Sequence, residues 1–159
     1  MTLALTLTPA TRVGMLIRRP PADVFQAFVD PAITTRFWFT KSSGALAPGA
    51  QVRWEWEMYG AAAEVTVQTF EPSSHLLFEW GPPDGRTTVE VRLVPWHEHT
   101  YVRIVERGFT GSGDHIVARL ADSTGGFSTL LCAMKAYLEH GLVLTVVLDH
   151  HPAGLEPPD

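Results

Sequence analysis

Cysteine is nearly absent: Cys132 stands alone among 159 residues, so no disulfide can form within the chain. Charge is also scarce, at 18% of residues, with 12 Lys and Arg against 17 Asp and Glu and a formal net charge of -5. The longest basic run is Arg18-Arg19, which argues against a nucleic-acid partner. No apolar run approaches the length that crosses a bilayer. The opening MTLALTLTPATR lacks the basic leader and apolar centre of a secretion signal, so a cytoplasmic protein is expected. Catalytic signatures are missing too. There is no HExxH, no GxSxG, and no lysine behind the glycines of GFTGSGD or STGG to make a phosphate loop. No internal repeat, low-complexity run or linker interrupts the chain, and no cofactor is implied. What the chain does have is apolar bulk, 45% of its residues, enough to bury a core in one domain over 1–159.

That bulk is patterned. Phe127, Leu130, Leu131, Met134, Tyr137 and Leu138 recur at spacings of three and four, which predicts an amphipathic helix over 123–141. Ser123 or Thr124 would cap its start, Gly141 its end. Gly125-Gly126 near the start suggests close approach to a neighbouring element. Cys132 is expected to pack beside the apolar stripe. His115 to Leu120 reads as a separate helical turn or two.

Upstream, most of the chain alternates with a period of two and predicts strands. Arg12 to Arg18 is the first, and Pro20-Pro21 ends it. Two short helices follow, one carrying Val24, Phe25 and Phe28, the other running from Ala32 to Trp38 and pointing Ile33, Phe37 and Trp38 inward. Val52, Trp54, Trp56 and Met58 face one side of the next long strand, and Ala63, Val65 and Val67 one side of its neighbour. Then come Leu76, Phe78 and Trp80, then Val89, Val91 and Leu93. The last strand puts Val102, Ile104 and Glu106 on one face, and Pro95 to His99 connects it to the strand before. Beyond Gly141, LVLTVVLD has no firm period and reads as an extended tail packed back on the body.

An α+β arrangement follows, an antiparallel sheet laid against a long C-terminal helix. The order strand, two short helices, strands, long helix is that of the helix-grip (START-like, Bet v 1-like) fold. PPADVFQAFVDPAITTRFW, LLFEWG, VRIVERGF and GGFSTLLCAMKAYLEHG resemble the helix pair, central strand, last strand and closing helix of the family named after the activator of Hsp90 ATPase. The resemblance spans about residues 11–141. It implies a curved sheet wrapped on the closing helix, with an apolar cavity between them for a small hydrophobic molecule. Three functions fit: binding alone, a cyclase or dehydratase acting on a polyketide-like compound, or a protein-interaction module with a chaperone as partner. It also admits a homodimer.

Trp38, Trp54, Trp56, Phe78, Trp80, Met134 and Tyr137 either fill the core or line such a pocket, where indole and phenol offer contact area and a polar handle. Glu106 is the anomaly, an acid closing an inward row. A carboxylate there needs partners, and it can grip a ligand hydroxyl or act as general acid or base. Arg36 and Arg119 are the candidates for its counter-charge through the fold, and Tyr137 is the hydroxyl expected beside it, with His115 a further candidate for proton transfer. The histidines at 97, 99, 115, 150 and 151 lack the convergence a zinc site requires, and no metal is expected.

Overall fold

Seven antiparallel strands form one sheet in the computed structural model, which describes residues 2–156. β1 (Thr11–Ile17) is followed by α1 (Pro21–Val29) and α2 (Pro31–Thr34). The rest of the sheet is β2 (Lys41–Ser42), β3 (Gln51–Trp56), β4 (Ala61–Glu71), β5 (His75–Trp80), β6 (Thr87–Trp96) and β7 (His99–Arg107). The spatial order is β1-β7-β6-β5-β4-β3-β2. The two short helices thus carry the chain from one sheet edge to the other, and every later connection joins neighbours. This is the helix-grip fold.

α1 starts on Pro21, whose missing N–H costs nothing in a first turn, and Val24, Phe25, Ala27, Phe28 and Val29 are buried along it. Asp30 ends α1 and caps α2, its side chain accepting from the Ala32 N–H at 3.0 Å. α2 is shorter than the predicted 32–38, because looser turns take over after Thr34. Those turns still drive Phe37, Trp38 and Phe39 into the core. In β4 the register shifts between Val67 and Thr69. The extra residue reverses the alternation, so Phe70 turns inward and meets Phe25 edge-on, centroids 5.2 Å apart. Connection β6–β7 is tighter than predicted: Trp96 pairs with His99, leaving His97 and Glu98 as the turn, with His97 at φ 53.

α3 (Gly113–His140) is continuous over 28 residues, about 42 Å of helix. The predicted break before 123 does not exist. Ser112, not Ser123 or Thr124, caps it by accepting from the His115 N–H at 3.2 Å. Gly141, at φ 67, ends it as the sequence implied, and its N–H donates to Tyr137 O at 2.8 Å. Ile116, Phe127, Leu130, Leu131, Ala133 and Met134 are buried on the sheet-facing side. Cys132 is exposed, because it falls on the opposite side from Leu130 and Met134. The two mid-helix glycines approach nothing: a Cβ on Gly125 or Gly126 would have no heavy atom within 4 Å.

Near its C-terminus α3 is tied to the end of β1. Glu139 accepts from the Arg18 N–H at 2.9 Å and from Lys135 Nζ at 2.6 Å, and Lys135 Nζ also reaches Leu16 O at 2.8 Å. Burial pushes the Glu139 carboxyl up, but these hydrogen bonds and the Lys135 charge outweigh it and hold the group below its ordinary value. The segment after Gly141 is not wholly extended. It includes a single helical turn, α4 (Val146–Asp149), and leaves Leu142, Val143 and Leu144 exposed. The last three residues of the expected tail, 157–159, lie outside the described range. No described helix is long and apolar enough to cross a membrane.

Candidate functional site

Period-two alternation places Trp80 at the end of β5, Thr87 at the start of β6 and Glu106 near the end of β7 on one face. The ladder brings them together, because Trp80 pairs with Thr87, and Glu106 pairs with Val89, two residues beyond Thr87. The result is a buried polar cluster. Trp80 Nε1 donates to Glu106 Oε2 at 2.7 Å and lies 3.1 Å from Thr87 Oγ1, and the Thr87 hydroxyl donates to the same Oε2. From the helix side, Ser123 Oγ donates to Oε1 at 2.5 Å.

Glu106 is only 3% exposed, and a carboxylate that deep is costly unless hydrogen-bonded. Its three partners are neutral donors. Among the described residues no lysine, arginine or histidine forms an ion pair with it. A carboxylate offers about four acceptor positions. Three are used, and the free one is on Oε1.

Glu106 forms part of the lining of a cavity of about 390 Å³ between the sheet and the 119–129 stretch of α3. Aromatic rings make its apolar wall: Trp38, Trp56, Trp80 and Phe127 all line it. Trp38 is 6.0 Å from both Trp56 and Trp80, and Trp80 is 5.7 Å from Phe127, centroid to centroid. Gly126 leaves open space on the helix side. Tyr59, Val147 and His150 form part of the lining as well. The Tyr59 hydroxyl donates to Val147 O, lies 3.2 Å from Leu148 O, and accepts from the His151 N–H at 3.3 Å. The turn at Glu57–Tyr59 and the C-terminal segment are therefore joined beside the cavity. Arg119 and Asp122 project from α3 into the same lining.

The residues singled out from sequence divide in two. Trp38, Trp56, Trp80 and Glu106 meet at the cavity. Trp54, Phe78 and Met134 are sealed in the core behind it, each no more than 1% exposed. Trp54 is stacked on Phe39 at 4.6 Å and covered by Trp38 at 5.0 Å. Tyr137 does not reach Glu106. It lies fourteen residues beyond Ser123, about 21 Å along the helix, against Phe37 at 6.3 Å. His115 sits exposed in the first turn of α3 and lines no part of the cavity. Neither Arg36 nor Arg119 pairs with Glu106. The described histidines, cysteine and carboxylates form no group of three able to hold a metal.

Thr87 and Ser123 are site residues that the sequence patterns above do not single out. Thr87 continues the inward row of Val89, Val91 and Leu93. Ser123 lies four residues before Phe127, on the same helix face, a signal hidden when it is read as a cap.

The family model described as activator of Hsp90 ATPase homolog 1-like protein matches residues 18–139. No curated protein matches the chain. Among solved structures, protein SSP2350 from Staphylococcus saprophyticus is similar at 26% identity and TM-score 0.74, over 86% of this chain and 96% of that one. DynU16, a protein in the dynemicin biosynthetic locus, is similar at 22% identity and TM-score 0.75, over 84% of this chain and 48% of that one. The Aha1 dimer from Colwellia psychrerythraea gives 18% identity and TM-score 0.73, over 84% of this chain and 98% of that one.

Proposed function

The chain belongs to the activator of Hsp90 ATPase homolog 1-like family, and on that premise we propose that it is a cyclase- or dehydratase-like enzyme acting on a polyketide-like molecule. One observation carries this reading: a buried Glu106, without an ion-pair partner among the described residues, sits in an aromatic-walled cavity and keeps one acceptor position open on Oε1. The indole walls suit a planar, oxygenated ring system. Glu106 Oε1 takes a proton from a carbon beside a ketone, the resulting enolate closes on a second carbonyl, and the alkoxide so formed takes that proton back as a hydroxyl. Glu106 then removes the second hydrogen of the same carbon, a C=C bond forms as the C–O bond breaks, and the hydroxyl leaves with that second proton as water. Trp80, Thr87 and Ser123 hold the carboxylate in place for that transfer. The presence of a structurally similar protein in the dynemicin locus supports this substrate class.

Calorimetric titration with hydroxylated anthraquinones, and absorbance-monitored dehydration of an aryl β-hydroxy ketone, test it in the native protein and in Glu106→Gln. The expected result is binding in both and dehydration in the native protein alone. Binding without turnover in either leaves a carrier of hydrophobic molecules, the second reading. The three donors already on Glu106 favour that second reading, since they occupy most of the carboxylate. Absence of binding in the native protein removes both.

Self-association belongs to the proposal as well. The exposed Leu142, Val143 and Leu144 offer an apolar surface, and the similar Colwellia protein is a dimer. Sedimentation equilibrium returning a monomer at all concentrations would exclude it. A chaperone partner has only the family's name behind it.

A further inference from the structure

Arg119 stands on the cavity wall beside Phe109. Its guanidinium lies 5.3 Å above the centre of the Phe109 ring, and Nη1 reaches Gly85 O at 3.4 Å. Among the described residues it forms no ion pair, although Asp122 stands three residues along the same helix and Glu106 lines the same cavity. An arginine that is half-buried, propped on an aromatic face and lined up with a cavity keeps several N–H donors for an incoming group.

We infer that Arg119 is a specificity-determining residue that recognises a carboxylate on the ligand, so that the molecule taken into the cavity is an aromatic acid. The guanidinium fork matches a carboxylate by two parallel hydrogen bonds. Phe109 beneath it restricts where that fork can sit. Ser123, four residues on, lies on the same face of α3 and donates to Glu106. The helix therefore presents the cation and the Glu106 site in sequence along one wall. A ligand anchored by its acid at Arg119 lays its rings among Trp38, Trp56 and Trp80, in the space that Glu106 also lines. Asp122 is exposed on the same stretch, where water screens its repulsion of an anion.

The inference rests on the cavity being a ligand site, and the test separates the two claims. Anthracene-2-carboxylate and its methyl ester share their rings and differ in charge. Equilibrium dialysis of each against the native protein should give about tenfold tighter binding of the acid, a difference of about 1.4 kcal/mol. That preference should shrink as salt is raised. In Arg119→Gln the acid should fall to the affinity of the ester, while the ester binds as in the native protein. Arg119→Lys should keep part of the preference, because it keeps the charge and loses the fork. Equal binding of acid and ester by the native protein overturns the role of Arg119 and leaves the cavity reading intact. Binding of neither probe overturns both.

Discussion

Replacing Gly125 and Gly126 with alanine, singly and together, should make the protein more stable, and only one of the two changes should touch the cavity. Both glycines lie in the interior of α3, where glycine costs about 0.5–1 kcal/mol relative to alanine through backbone entropy. Neither added methyl would meet a heavy atom within 4 Å, so no clash offsets the gain. Each substitution should therefore add about 0.5–1 kcal/mol to the unfolding free energy, and the pair about 1–2 kcal/mol, since the methyls share no partner. For a chain of this size that corresponds to a rise in Tm of about 2–4 °C per kcal/mol. Guanidinium unfolding followed by far-UV circular dichroism gives the free energies. The same variants are then titrated with anthracene-2-carboxylate. Gly126 lines the cavity and Gly125 does not, so Gly126→Ala should weaken the probe while Gly125→Ala leaves it unchanged. A destabilised Gly125→Ala would refute the reasoning, because it would mean that something packs closely against the middle of the helix. Equal loss of probe binding in both variants would refute the placement of the cavity.

Three further outcomes are expected. Ser112→Ala removes the α3 cap and should cost about 1 kcal/mol in urea unfolding; no loss would mean that the helix starts elsewhere. Glu139 has a folded-state value below its unfolded one, so its contribution is complete above the unfolded value, near 4.5, and is lost as pH falls through the folded value. Stability measured from pH 7 downward should therefore drop less steeply below about pH 4.5 in Glu139→Gln than in the native protein, and identical slopes would contradict the linkage. Tyr59→Phe deletes the hydroxyl that joins the 57–59 turn to residues 147–151. It should raise amide exchange across 146–151 about fivefold for each 1 kcal/mol lost, with protection in α3 as the unchanged control.

The strand pattern was legible because a period of two assigns each residue to a face without reference to its neighbours. It puts Val102, Ile104 and Glu106 in one inward row and turns Trp56 and Trp80 inward. The same rule reaches Thr87, which would have completed half of the Glu106 cluster. Three-dimensional facts were harder to read. Trp54 and Trp56 share a strand face, yet one is sealed and the other lines a cavity, because Trp38 and Phe39 arrive from a distant turn to cover Trp54. Tyr137 and Ser123 occupy similar faces of one helix, but axial distance along the helix decides which of them meets Glu106. The glycine pair disguised the true start of α3, since local propensity argued for a boundary that the packing of Ile116 and Phe127 overrides. The expectation for Cys132 failed for a simpler reason: a residue between Leu131 and Ala133 is rotated off the buried stripe.

The uneven distribution of indoles makes the protein report on itself. Trp38, Trp54, Trp56 and Trp80 form one cluster with ring centres 5.0–6.3 Å apart. Excitation of any one is shared among them, and their near-ultraviolet transitions couple. The fifth, Trp96, is 48% exposed at the tip of β6, about 30 Å along the strand from Thr87, the partner of Trp80. Shielded indoles are expected to emit at shorter wavelength than an exposed one, so a Trp96→Phe protein should keep only the emission that comes from the cavity and the core behind it. A molecule entering between Trp38, Trp56 and Trp80 would dim four chromophores together, and the protein needs no added label to show it.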